Sequence, residues 1–298
     1  TFASNTSGER TTSFTTPSCG VDTDSALRLR VISRYSGISS SACDNYYGQV
    51  EDYTVYFKSE VPTWTGAISS TWDNTGNWSN GVVPGASDDV VIANAGTAPV
   101  IASGVGADCK NLTINSGATL TVASGGSIIP TGTITNNGTV NMQRSISDNQ
   151  WHLISIPVSG MTSSMFENDN LQNWNETTGL WVPITDLGVD LFIKKGYGLW
   201  PTPGKSAYTF SGTPLTGDQS IDLVDNGSGG SYDGANLLGN PYPSSIDWNQ
   251  ASGSYGAVYY WNGTEYLAYP ATGGFGTGSR YVAPMQGFFV IADSPGTF

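Results

Sequence analysis

Charged residues are scarce in this 298-residue chain, at 12%, and histidine occurs once. Any Ser-His-Asp or Cys-His arrangement must therefore run through His152. The three cysteines, Cys19, Cys43 and Cys109, are too widely spaced for a zinc site with one histidine. No Gly-x-Ser-x-Gly elbow, His-Glu-x-x-His pair or phosphate loop occurs in the sequence. Lys and Arg total 11 against 24 Asp and Glu, a net charge of −13. That balance lacks the basic surface needed to displace counterions from nucleic acid. No apolar run approaches the ~18–20 residues of a membrane span. No stretch keeps apolar residues at i, i+3, i+4 and i+7 for three turns, which excludes long amphipathic helices.

What remains is strand and turn chemistry. Short runs of Val, Ile, Thr, Tyr and Trp alternate with clusters of Gly, Asn, Pro and Asp, so the chain reads as all-β. Its second half repeats itself. Trp151-His152-Leu153-Ile154-Ser155-Ile156-Pro157 returns as Ala235-Asn236-Leu237-Leu238-Gly239-Asn240-Pro241, and Asn173-Trp174-Asn175 as Tyr260-Trp261-Asn262. A third block, Ile193 to Trp200, returns as Val282 to Phe289. The offsets are 84, 87 and 89, the last taken from Gly198 to Gly287. Blocks in constant order with drifting offsets mark a duplicated β unit. What recurs is apolar and aromatic, which speaks for packing rather than reaction.

Three segments follow. Residues 1–60 contain the alternating strands Leu27–Ser33 and Val50–Phe57, flanked by Cys19 and Cys43, which favours a Cys19–Cys43 disulfide with Cys109 a buried thiol. The run Gly48-Gln49-Val50-Glu51-Asp52, after Leu27-Arg28-Leu29-Arg30-Val31, resembles the GEVED domain, a β-sandwich module of secreted bacterial proteins, with Gln49 in place of the first Glu. The resemblance implies a partial sandwich whose upstream strands are missing.

Residues 62–145 carry short β runs, among them Val90-Val91-Ile92, Leu112-Thr113-Ile114 and Leu120-Thr121-Val122, with Asn-Ser-Gly and Asn-Asn-Gly corners. This suits a short right-handed β-solenoid, in which corner Asn residues ladder between coils. An ordinary sandwich of tight hairpins stays open as the alternative. The opening run of this segment resembles solenoid segments of large secreted Bacteroidetes proteins.

Residues 148–298 hold the duplicated β-sandwich unit, with copies at about 148–230 and 231–298. Gly239-Asn240-Pro241-Tyr242-Pro243 with Asp247-Trp248-Asn249 and Gln286-Gly287-Phe288-Phe289-Val290 resembles the segment that precedes type IX secretion sorting signals. No sorting domain follows Phe298, and the chain begins Thr1-Phe2-Ala3 without a signal peptide. It reads as a mature or excised piece of a secreted or cell-surface protein.

Candidate sites are few. His152 has Asn236 as its counterpart, which favours a strand residue with a polar edge over a catalytic group. Adjacent pairs such as Asp88/Asp89 and Glu51/Asp52 point to opposite faces of a strand and make poor acid–nucleophile pairs. Asp88 suits a turn before Val90, and Arg28 or Arg30 could pin Glu51 or Asp52 across the sheet. Asp22, Asp24, Asp44, Glu51 and Asp52 form a possible Ca²⁺ set, Ca²⁺ being the one cofactor the composition suggests. Trp181 and Trp248, which do not recur, are candidates for stacking on sugars. Asp24-Ser25-Ala26 matches a Bacteroidetes O-glycosylation signal at Ser25.

The expected function is a non-catalytic structural or adhesive module of a larger protein, part of a fibre or adhesin. Its partners are then the parent's other domains, neighbouring copies or surface glycans, and not nucleic acid. The alternative is a carbohydrate-binding accessory region of a secreted polysaccharide-degrading or proteolytic enzyme.

Overall fold

A computed structural model describes residues 26–34, 48–56, 61–225, 227, 229–230, 232–251, 256–270 and 276–298. The chain divides into two compact units, Thr1–Glu60 and Val61–Phe298. It is all-β, with several sheets and, among the described residues, no α-helix. Cys19 and Cys43, and with them their disulfide, lie outside the described residues, as do Asp22, Asp24, Asp44 and Ser25.

In the first unit, β1 (Ala26–Arg34) and β2 (Gly48–Tyr56) form an antiparallel pair running from Ala26 opposite Tyr56 to Arg34 opposite Gly48. Arg30 stands directly opposite Asp52 and donates to both carboxylate oxygens at 2.7 and 2.9 Å. The pair is exposed, so it marks the register and contributes little stability.

In the second unit, strands stack in parallel, with a first step of 28 residues from β3 to β4 and steps of 20–22 residues thereafter. One ladder consists of β3 (Thr63–Trp64), β4 (Val90–Ile92), β7 (Leu112–Ile114) and β10 (Ile134–Asn136), placing Val90, Leu112 and Ile134 side by side. A second contains β5 (Val100–Ile101), β8 (Thr119–Val122) and β11 (Thr139–Ser145), and a third β6 (Gly106–Cys109) and β9 (Ser127–Pro130). Inward positions are fully buried, among them Ile92, Ile114, Leu120, Val122 and Met142. The residues between them are only half-buried, as a period of two requires. A polar ladder runs along one corner. Asn111 donates to Asp89 at 2.7 Å and accepts the Thr133 N–H at 2.9 Å, each partner 22 residues away. Trp64, Trp72 and Trp78 close one end, with ring centroids 4.7–6.5 Å apart.

Cys109 lies inside this stack, wholly buried, and burial, with Asp108 and Asp89 nearby, pushes its thiol up to about 12. Iodoacetamide at pH 8 is expected to leave Cys109 unmodified in the native chain and to alkylate it in denaturant, as peptide mass mapping would show. Labelling of the native protein at Cys109 would contradict the burial.

Two four-stranded antiparallel sheets follow. The first contains β12 (His152–Ser155), β13 (Asn170–Asn175), β14 (Leu180–Ile184) and β15 (Gly196–Trp200), in the order β12-β15-β13-β14. Strand β16 (Ala207–Ser211) returns to the stack and pairs antiparallel with β11, covering an edge that would otherwise be open. Beyond β17 (Asp222–Leu223), the second sheet contains β18 (Ala235–Gly239), β20 (Ala257–Trp261), β21 (Tyr266–Pro270) and β23 (Gly287–Ile291), in the order β18-β23-β20-β21. Short pairs join β19 (Ile246–Asp247) to β22 (Tyr281–Val282) and β17 to β24 (Gly296–Thr297).

The sheets share strand order, and their contacts are reciprocal. Gly239 N–H donates to Lys194 C=O at 2.7 Å, and Ser155 N–H donates to Met285 C=O at 3.0 Å. Lys194 and Met285 are both left-handed, with φ of 77° and 58°. A Cβ on Gly196 would lie 2.5 Å from the Leu238 oxygen, and one on Gly287 would lie 2.7 Å from the Ile154 oxygen. These pairings align Gly196, not Gly198, with Gly287, so the third repeated block is offset by 91 residues rather than 89. The matching glycine is the one that meets the opposing backbone, a contact set by the other sheet.

Three apolar clusters result. One runs from Trp64 through the stack to Tyr197, Leu199 and Met285, so stack and first sheet share a core. A second lies on the outer face of the second sheet, around Trp248, Phe288 and Val290. The third, with Leu153, Trp174, Leu237 and Phe289, fills the space between the sheets.

Candidate functional site

Two cavities in the second unit gather side chains with chemical potential. The smaller, of about 310 Å³, is lined by Trp151, His152, Leu153, Gln172, Trp181, Gly198, Trp261 and Tyr266. Strand alternation puts Leu153, Gln172, Trp174 and Trp181 on the face of the first sheet that meets the second. Trp181 lies over Gly198, where a Cβ would stand 2.9 Å from its ring. The structure thus brings Trp181 into a cavity but not Trp248. Trp248 is 3% exposed, stacked on Phe298 at 5.6 Å and edge-on to Phe288 at 5.9 Å, so its faces are taken by the core. That is a correction to Trp248 as a stacking platform: its absence from the repeat reflects a partner near the C-terminus, which spacing does not reveal.

His152 lines the cavity and its Nε2 pairs with the Ser147 carbonyl at 2.7 Å. Burial lowers its pKa from the ordinary histidine value, the Ser147 carbonyl acting against that and the Arg144 charge with it. Asn236, its counterpart, donates to Gly234 and Val224 carbonyls at 2.7 and 2.9 Å. Each side chain ties down chain that precedes its own strand. No carboxylate lines this cavity among the described residues.

The larger cavity, of about 730 Å³, lies along the turn Gly239–Ser245 and includes Asp218 and Asp247. Arg280 donates to both oxygens of Asp247 at 2.5 Å, holding that carboxyl below the usual range. An ionised, arginine-bound Asp247 is the wrong state for a general acid, which needs a raised pKa. The turn itself is built on Asn240, which is fully buried. Its amide donates to the carbonyls of Ser244, Val282 and Ala283 at 2.8–3.0 Å, and its oxygen accepts the Tyr242 N–H at 2.9 Å. The Gly-Asn-Pro-Tyr-Pro run is therefore a folding device.

Of the carboxylates singled out in the sequence, Asp88 accepts the Gly85 N–H at 2.8 Å, the expected turn role. Glu51 accepts from the Tyr53 hydroxyl, and Asp52 is held by Arg30. Among the described residues no group of three His, Cys, Asp or Glu is placed to hold a metal ion, and no helix is long and apolar enough to cross a membrane.

Trp151, Gln172 and Gly198 escaped the sequence reading as site residues, whereas Trp261 and Tyr266 belong to the aromatic set that the sequence offers for sugar stacking. For Trp151 and Gly198 the signal is mismatch within the repeat: Ala235 is the counterpart of Trp151 at an offset of 84, and Phe289 that of Gly198 at 91.

Comparison with known families fits this architecture. Residues 1–56 match the GEVED domain, and residues 63–135 match a domain of unknown function, DUF8693. No curated protein and no solved structure matches the chain. A GEVED domain followed by a domain of unknown function, in an all-β chain, is consistent with a multidomain module.

Proposed function

We propose that the chain is a non-catalytic structural segment of a larger secreted or cell-surface Bacteroidetes protein, a rigid β spacer within an adhesin or extracellular fibre. One observation carries the reading. The residues of the recurring blocks are spent on packing, in a core that joins the stack to the first sheet and a second core that joins the two sheets. The 20–22-residue parallel ladders support a short β-solenoid, and the matching sheet orders and reciprocal bonds support a duplicated β-sandwich unit. The GEVED domain, and the resemblance of residues 239–249 and 286–290 to segments before sorting signals, favour export by type IX secretion. Its partners would then be other domains of the parent and neighbouring copies.

The test is twofold. Protease treatment of intact producing cells is expected to remove the protein from the cell surface. The purified full chain is expected to turn over no member of a broad peptide, ester and glycoside panel. Hydrolysis abolished by His152→Ala or Asp218→Asn would overturn the non-catalytic reading, and protection in intact cells would overturn the surface location.

A further inference from the structure

We propose that the cavity between the two sheets binds a neutral pyranose ring of a glycan. The argument starts from an imbalance between the sheets. Leu153 pairs with Gly198 in the first, and its match Leu237 pairs with Phe289 in the second. Phe289 fills its side of the interface, 5.2 Å from Trp174, 6.1 Å from Trp181 and 5.9 Å from Tyr266. On the other side Gly198 supplies no side chain, the Trp181 ring lies over it, and the 310 Å³ cavity opens beside that ring.

A hydrogen bond is missing from the same side. Trp174 Nε1 donates to the Ala235 carbonyl at 2.7 Å. Trp261 occupies the matching place in the second sheet, yet its buried Nε1 has no partner among the described residues. Trp72 Nε1 is unpaired in the same way within the stack, so the orphan indole is a feature of packing, and what Trp261 brings to the cavity is its ring.

The lining specifies the occupant. Trp151, Trp181, Trp261 and Tyr266 offer aromatic surface, suited to the C–H faces of a sugar ring. Among the described residues no Lys, Arg, Asp or Glu lines the cavity, and burial disfavours the charged form of His152, so a charged ligand would find no fixed counter-charge. The Gln172 amide supplies neutral donors and an acceptor for hydroxyls. The volume is at the lower end of small-molecule sites, enough for one or two sugar rings. Tyr266 is 48% exposed, so the cavity is open to solvent on that side, as a chain-end residue of a glycan requires. This inference does not rest on the spacer reading, which survives if no sugar binds.

The experiment titrates the full chain with neutral methyl glucosides, galactosides and mannosides and their disaccharides. Glucuronate and choline serve as charged comparisons, and saturation-transfer NMR and tryptophan fluorescence report binding. Binding of at least one neutral saccharide is expected, weakened roughly three- to tenfold in Gln172→Ala, which removes the amide and leaves the aromatic lining. Tyr266→Ala, at an exposed position, is expected to weaken it by about tenfold with the β circular-dichroism signature retained. It keeps the test decisive if Gln172→Ala fails to fold. No saturation transfer from any neutral saccharide at tens of millimolar, binding of choline or glucuronate alone, or saccharide affinity indifferent to Tyr266→Ala would each overturn the proposal.

Discussion

Gly287→Ala is expected to destabilise the second unit by about 2–3 kcal/mol, the cost of forcing a methyl group into a closed interior. The new Cβ would lie 2.7 Å from the Ile154 oxygen and 3.0 Å from the Ile154 nitrogen and the Leu153 carbonyl carbon. All three are main-chain atoms, so no rotamer change relieves the clash and one sheet must move away from the other. Gly196→Ala should behave alike, since its Cβ would meet the Leu238 oxygen at 2.5 Å and the Leu237 side chain at 2.7 Å. Both substitutions act on one interface, so the double variant is expected to lose less than the sum. Urea unfolding followed by tryptophan fluorescence measures all three. Near-neutral single variants, or strict additivity, would show that the sheets do not meet in this reciprocal way.

Asn240→Ala is expected to cost about 3–4 kcal/mol, near the upper end for a single substitution. The side chain is fully buried and its amide serves three carbonyls from two segments, Ser244 on its own turn and Val282 and Ala283 ahead of β23. Truncation removes the side-chain donor from all three, Ala283 C=O keeping a second one in the Gln286 N–H at 3.2 Å, and the Tyr242 N–H loses its acceptor. Asn240→Asp keeps the shape and reverses the chemistry, turning a carboxylate toward carbonyl oxygens. Its folded-state pKa would rise above the unfolded value of about 3.9. The variant should therefore be most stable below that value and lose stability as pH rises through the folded pKa. Stability rising from pH 4 to 7 in Asn240→Asp would contradict the assigned donors.

Much of the fold was legible because alternation is local. Val90, Ile92, Leu112 and Ile114 announce their buried faces within three-residue runs. The polar ladder through Asp89, Asn111 and Thr133 follows from an Asn placed in a turn between short strands. The repeat was legible too, through Leu153/Leu237 and Trp174/Trp261. Its third block was misaligned by two residues because Gly196 and Gly198 look equivalent in sequence. They differ only in what faces them: main chain of the other sheet at Gly196, the Trp181 ring at Gly198. The cavity was hidden for the same reason, since its walls come from both sheets and only their packing brings Trp181 and Gln172 together with Trp261 and Tyr266. Trp248 misled in the opposite sense, its ring faces covered by residues 40 and 50 positions away.

The central claim is that the recurring motifs pack stack and sheets into one cohesive body. Native-state hydrogen exchange of the full chain at increasing denaturant tests it most directly. Amides of β7 and β8 in the stack, β12 in the first sheet and β18 and β23 in the second are expected to open with one free energy, within about 1 kcal/mol. A stack that opens separately, with the sheets still protected, would contradict it.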